Sequence, residues 1–130
     1  MLEIQEKFST EGYESVVDAS KGSMLHITEA FDKGNVIGFI AYSYEGDRTI
    51  VYDYSDGGDL FLCDGLVRSV MFKSCLKGIN TVTFTLSDTS KYKNLRKLRF
   101  ISADSDTAEN IDNFMNGCKN CKKNTDNLST

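Results

Sequence analysis

Two tetrapeptides, Asp32-Lys-Gly-Asn35 and Glu45-Gly-Asp-Arg48, constrain this chain more than any other feature. They separate three β-forming runs, Ser23–Phe31, Val36–Tyr44 and Thr49–Tyr54. Glycine and asparagine enter left-handed backbone at little cost, so both tetrapeptides favour tight reversals. Runs joined by such short reversals pair with their neighbours as an antiparallel meander. Upstream, Leu2–Phe8 places Leu2, Ile4 and Phe8 on one face and Glu3, Gln5 and Lys7 on the other, with Glu6 interrupting the apolar side. It reads as a first strand. Thr10–Lys21 reads as a short helix or loop around Tyr13, Val16 and Val17.

After the meander the period changes. The loop Ser55-Asp-Gly-Gly-Asp59 breaks the sheet. From Asp64 to Ile79 the spacing predicts a helix, with Gly65 at its start and Gly78 as a left-handed cap. Leu66, Val67, Val70, Met71, Ser74 and Cys75 form its apolar stripe. Val82, Phe84 and Leu86 then alternate with Thr81, Thr83 and Thr85, the period of a strand. Thr89–Leu98 is predicted to be a second helix, Phe100–Ala103 a short strand, and Glu109–Met115 a short final helix or strand. The expected architecture is one α+β domain over residues 1–117, a mixed, mostly antiparallel sheet flanked by helices. A flexible Cys-x-x-Cys tail over residues 118–130 is expected to follow.

At 130 residues the chain is long enough for one sizeable core. Its net charge of −4 argues against a general nucleic-acid partner. No apolar run approaches the ~20 residues that span a bilayer. Met-Leu-Glu-Ile-Gln-Glu-Lys7 lacks the basic start and apolar block of a secretory signal. A cytoplasmic protein without a membrane partner is expected.

A helix start aimed out of a sheet presents bare N–H groups and attracts anions. Gly65, Leu66, Val67 and Arg68 are therefore the candidate cofactor-binding residues, with Arg68 able to fork onto a phosphate oxygen. Asp64 opposes this, since as an N-cap it would occupy the same amides. Asp53, Asp56, Asp59 and Asp64 make the preceding loop acidic, either as solvated turn residues or as a funnel for a cationic amine. Asp53 falls within a predicted strand and is the candidate catalytic base. Lys91, Lys93, Arg96, Lys97 and Arg99 form either the solvated face of a helix or a partner for phosphates. His26 has no sequence partner that makes it a catalyst. Cys118 and Cys121 supply two of the four ligands of a structural zinc, a redox pair, or two neutral exposed thiols.

This order, with a glycine-started helix leaving a sheet and closed by Lys77-Gly-Ile79, resembles the GNAT superfamily of N-acetyltransferases across residues 24–101. The family's pyrophosphate pattern, Gln/Arg-x-x-Gly-x-Gly/Ala, falls on Leu62-Cys-Asp-Gly-Leu-Val67, where Gly65 matches and Leu62 and Val67 depart. A later pattern, Asn-x-x-Ala-x-x-x-Tyr-x-Lys-x-Gly-Phe, falls on Asp88–Phe100. There Lys97 and Phe100 match, while Asp88, Lys91, Leu95 and Arg99 replace asparagine, alanine, tyrosine and glycine. The resemblance implies a degenerate GNAT-like domain. It implies acyl transfer from acetyl-coenzyme A, or another acyl-coenzyme A, to an amine on a small molecule or protein. It further implies a thioester carbonyl polarised by a backbone amide at a splayed strand, either Leu60–Cys63 or Thr49–Tyr54. The family's tyrosine often protonates the departing thiolate. Leu95 in its place keeps open a non-catalytic protein of this fold that binds a cofactor or partner. A third expectation is a metal- or redox-responsive protein acting through Cys118 and Cys121.

Overall fold

The computed structural model describes residues 2–116. Six strands form one sheet in sequential order: β1 (Leu2–Lys7), β2 (His26–Asp32), β3 (Asn35–Glu45), β4 (Arg48–Ser55), β5 (Thr81–Phe84) and β6 (Thr107–Glu109). All neighbours are antiparallel except β4 and β5, which run parallel. Parallel neighbours require a crossover. Helix α2 (Leu60–Leu76) supplies it. The β2–β3 reversal has Lys33 and Gly34 at φ 54° and 81°, the left-handed pair that matches the twist of a tight hairpin.

Strand alternation sorts the side chains into two layers. Ala30, Ile40, Tyr42 and Val51 face α2 in the main core, which also takes Leu66, Val70 and Met71 from the helix. Ile27 and Ala41 face the other way and pack with Val16 of α1 (Glu14–Ala19). Helices α3 (Tyr92–Lys97) and α4 (Ile111–Asn116) complete the main layer through Leu95 and Ile111. Each such fully buried aliphatic side chain contributes about 1.5–3 kcal/mol.

Three expected boundaries move. Helix α2 begins at Leu60 and not at Asp64, because Asp59 caps it: Oδ1 accepts the N–H of Phe61 at 2.9 Å and of Leu62 at 3.3 Å. Leu60–Cys63 is therefore helix and offers no splayed strand. Gly65 sits in the second turn, where a Cβ would be in ordinary contact, 3.5 Å from Ile4 Cδ1. Glycine inside a helix costs about 1 kcal/mol. Burial of Leu62, Cys63, Leu66 and Val67 around it outweighs that cost.

Phe100–Ala103 is not a strand. Arg99, at φ 65°, closes α3, and Phe100 N–H returns to the Leu95 carbonyl at 3.0 Å. Gly78 closes α2 in the same way, with Ile79 N–H on the Ser74 carbonyl at 2.9 Å. Phe100 and Ile101 enter the core from irregular backbone, and β6 takes the edge position beside β5. The Thr89–Leu98 helix divides into a single 3-10 turn, Thr89–Lys91, followed by α3.

Candidate functional site

Strands β4 and β5 stay paired only from Thr49/Val82 to Val51/Phe84. One further bond, Thr85 N–H to the Val51 carbonyl at 2.9 Å, ends the contact. Strand β4 continues to Ser55, paired with β3 alone. A bulge marks the parting: Tyr42 lies opposite Val51 and Ala41 opposite Asp53, leaving Tyr52 without a partner across β3. One extra residue reverses the alternation. Tyr52 and Asp53 thus line one cavity with Ser15 and Val16 of α1, while Tyr54 returns to the core.

Beyond the bulge, main-chain groups that a longer β5 would engage are bound by side chains. Asp53 Oδ1 accepts the Tyr54 N–H at 2.9 Å. Lys91 Nζ donates to the Tyr54 carbonyl at 2.6 Å and to Asp53 Oδ1 at 2.7 Å. The Tyr54 hydroxyl donates in turn to the Lys91 carbonyl at 2.5 Å. The lysine ammonium also stands 5.6 Å from the Tyr54 ring centroid. A primary amine is therefore held at the parting of the strands by a carboxylate and a carbonyl.

Two cavities share Lys91 and Asp88. One, of about 340 Å³, lies under the loop before α2 and is lined by Tyr54, Asp56, Gly57, Gly58 and Asn94. The other, of about 230 Å³, lies on the α1 side with Tyr52 and Asp53. A larger open trough of about 690 Å³ runs along Arg96, Arg99 and Phe100 toward β6, away from Asp53. Nothing in the trough is placed to exchange a proton with an amine at the strand parting. The paired cavities are the better site.

The fold that carries these cavities recurs in solved structures. The chain has the GNAT fold. A GNAT family acetyltransferase from Elizabethkingia anophelis with acetyl-CoA bound superposes with a TM-score of 0.62 at 14% identity, over 79% of this chain and 78% of that one. The ribosomal-protein-S18-alanine N-acetyltransferase of Escherichia coli gives 0.57 at 12% identity, over 82% and 88%. The ribosomal-protein-alanine N-acetyltransferase of Brucella melitensis gives 0.59 at 11%, over 80% and 94%. No family model matches the sequence. No curated protein matches it either.

Within the GNAT fold the loop before the crossover helix is Ser55-Asp-Gly-Gly-Asp59. It is acidic and already bonded to itself: Asp56 Oδ1 accepts the Gly58 N–H at 2.9 Å, and Asp59 holds those of Phe61 and Leu62. Gly65, Leu66, Val67 and Arg68 lie in the second and third turns of α2, away from the helix start. Leu66 and Val67 point into the core. Arg68 Nε bonds both oxygens of Asp64 at 3.0 Å. The structure brings Asp53 to the parting and separates it from these four residues.

The later GNAT pattern changes in a comparable way. Leu95 is fully buried. The Tyr92 hydroxyl donates to the Phe84 carbonyl at 2.8 Å and accepts from Leu86 N–H at 3.0 Å, tying down the end of β5. Burial, with Cys63 close by, pushes the Tyr54 hydroxyl well above its ordinary pKa. It pushes the Cys63 thiol up to about 12. Both stay neutral.

His26 bonds Glu6 at 3.4 Å and stacks near Tyr42, and it lines neither of the paired cavities. Among the described residues no group of His, Cys, Asp and Glu is placed to hold a metal, and no helix is long and apolar enough to cross a membrane. Cys118 and Cys121 lie outside the described residues. Sequence reasoning missed Lys91 and Tyr54. Lys91 was hidden in a run of cations, although only it stands in the alanine position of the GNAT pattern.

Proposed function

We propose that this chain is an N-acyltransferase that carries an acyl group from acetyl-coenzyme A, or another acyl-coenzyme A, to a primary amine. The supporting observation is the parting of β4 and β5, where the Tyr54 N–H and carbonyl turn inward beside a carboxylate that already binds an amine. The cavity under Gly57 and Gly58 suits the thioester arm, since Tyr54, Ser90 and Asn94 surround it with hydrogen-bonding groups. When bound, the coenzyme supplies a carbonyl activated by its carbon–sulfur bond. The Tyr54 N–H, once Asp53 Oδ1 releases it, polarises that carbonyl. Asp53 takes the proton the amine must lose. The acceptor, on a small molecule or a protein, approaches through the α1-side cavity.

A titration calorimeter and a free-thiol assay over a panel of amines test this. Acetyl-coenzyme A should bind, thiol should appear with one class of amine, and Asp53→Asn should slow that release roughly 100-fold or more. No binding heat, or an undiminished rate in the variant, counts against it.

A second reading is a non-catalytic protein of this fold that binds the coenzyme or a partner. Buried Leu95 favours it, because no tyrosine occupies the position from which the thiolate is often protonated. Binding without thiol release across the panel would select it.

A further inference from the structure

We infer that Lys91 is itself an acceptor, so that the chain acylates its own ε-amine at the parting of β4 and β5. The inference rests on the acyl-transfer reading and adds an internal substrate to it. Three observations place the amine there. Its nitrogen is 2.7 Å from Asp53 Oδ1, the same oxygen assigned to proton removal. It is 2.6 Å from the carbonyl of Tyr54, whose N–H is the amide assigned to polarise the thioester. Lys91 lines both cavities, so it stands between the donor side and the acceptor side.

The Tyr54 hydroxyl holds the Lys91 main chain in place, bonded to its carbonyl at 2.5 Å. The stem of Lys91 is thereby fixed at one end and its ammonium at the other. Fixing an attacking group beside the reacting centre replaces a bimolecular encounter with an intramolecular one. External amines must displace Lys91; Lys91 displaces nothing.

The Lys91 ammonium gives one proton to Asp53 and becomes a neutral amine. That amine attacks the thioester carbonyl carbon. A carbon–nitrogen bond forms and the carbon–sulfur bond breaks, its electron pair leaving with sulfur. The nitrogen's second proton passes to the thiolate, and Asp53 returns its proton to solvent. The products are an Nε-acyl-Lys91 amide and free coenzyme thiol, with no oxidant or reductant involved. The amide is uncharged and cannot pair with Asp53. Acylation therefore frees the carboxylate to face the α1-side cavity.

Lys73 is the internal control. It too meets a carboxylate, Glu6 at 3.3 Å, but its ammonium bonds Thr28 and Tyr42 and it lines neither of the paired cavities. Lys93 is exposed on α3 and reports the uncatalysed background.

The test incubates the full chain with acetyl-coenzyme A alone and follows acylation site by site by peptide mass spectrometry. Lys91 should gain one acetyl group at least tenfold faster than Lys73 or Lys93. Its rate should saturate with acetyl-coenzyme A, remain independent of protein concentration and fall at least tenfold in Asp53→Asn. Lys91→Arg, which retains the cation, should remove the fast site while leaving the melting temperature near that of the parent. Labelling of Lys91 no faster than Lys93, or a rate that rises with protein concentration, overturns the inference. Calorimetric binding and thiol release with external amines are measured on the same sample. If they persist while Lys91 stays unlabelled, the self-acylation inference fails and the transferase reading stands. If acetyl-coenzyme A does not bind, both fail.

Discussion

Gly38→Ala tests whether space, not conformation, holds the end of β4 in place. Gly38 lies in β3 without left-handed φ, so an alanine there meets no backbone restriction. Its Cβ would fall 2.5 Å from the Ser55 carbonyl oxygen, 3.0 Å from Leu62 Cδ2 and 3.5 Å from Leu66 Cδ1. Carbon and oxygen approach to about 3.3 Å at closest, so something must move by about 0.8 Å. Leu62 can change rotamer. The Ser55 carbonyl cannot, because Ser55 is paired with Phe39 in the ladder.

Overpacking of this kind costs about 1–3 kcal/mol. For a domain of this size that lowers the melting temperature by roughly 3–12 °C. Ser55 directly follows Asp53 and Tyr54, so its displacement should also weaken acetyl-coenzyme A binding. Thermal melts by circular dichroism and calorimetric titration measure the two effects. A melt unchanged within about 1 °C would refute the packing argument. Gly65→Ala is the counterpart: its Cβ meets only a 3.5 Å contact, and alanine should stabilise α2 by up to about 1 kcal/mol.

Asp59→Ala removes the α2 cap and should cost about 0.5–2 kcal/mol. It also frees the Phe61 and Leu62 N–H groups, so acetyl-coenzyme A should bind more tightly; weaker binding would show that the carboxylate helps the ligand. Alkaline stability should depend on Cys63. Its folded pKa of about 12 lies above the ordinary 9.0, so its contribution is complete below pH 9 and is lost as pH rises toward 12. The slope is at most about 1.36 kcal/mol per pH unit. Denaturant titrations across that window should show the decline, reduced but not abolished in Cys63→Ala because Tyr54 titrates in the same direction.

The meander was legible because turn chemistry and alternation act over a few residues: Lys33-Gly34 needs nothing distant to reverse the chain. The α2 start was not, since Gly65 is a strong local breaker and its cost is outweighed only by burial against strands far away in sequence. Phe100–Ala103 has strand composition, but Arg99 in left-handed backbone turns the chain first, and β5 pairs with Thr107–Glu109 instead. Arg99 stands where the GNAT pattern has glycine. Arg99 holds left-handed backbone there, a conformation that glycine adopts at less cost. Asp53 could be picked out because an aspartate inside a strand is out of place. Its partner Lys91 is remote by 38 positions, and no local rule pairs them.

The charge at the parting sets opposite demands for the two proposed substrates. Asp53, Asp56, Asp59 and Asp88 border the paired cavities and the start of α2, and Lys91 is the cation among them. Arg68, the cation expected to offset them, is engaged by Asp64. A cationic amine is drawn toward such a field, and a polyanionic coenzyme is repelled by it. Screening acts over about 8–10 Å at physiological ionic strength, a distance comparable to the site itself. Added salt should therefore raise the apparent affinity for acetyl-coenzyme A while lowering that for an amine acceptor. Calorimetric titrations of both in low and high potassium chloride separate the two trends. If coenzyme binding instead weakens steeply with salt, the phosphates are held by cations beyond the acidic loop, and Arg96 and Arg99 along the neighbouring trough become the residues to substitute.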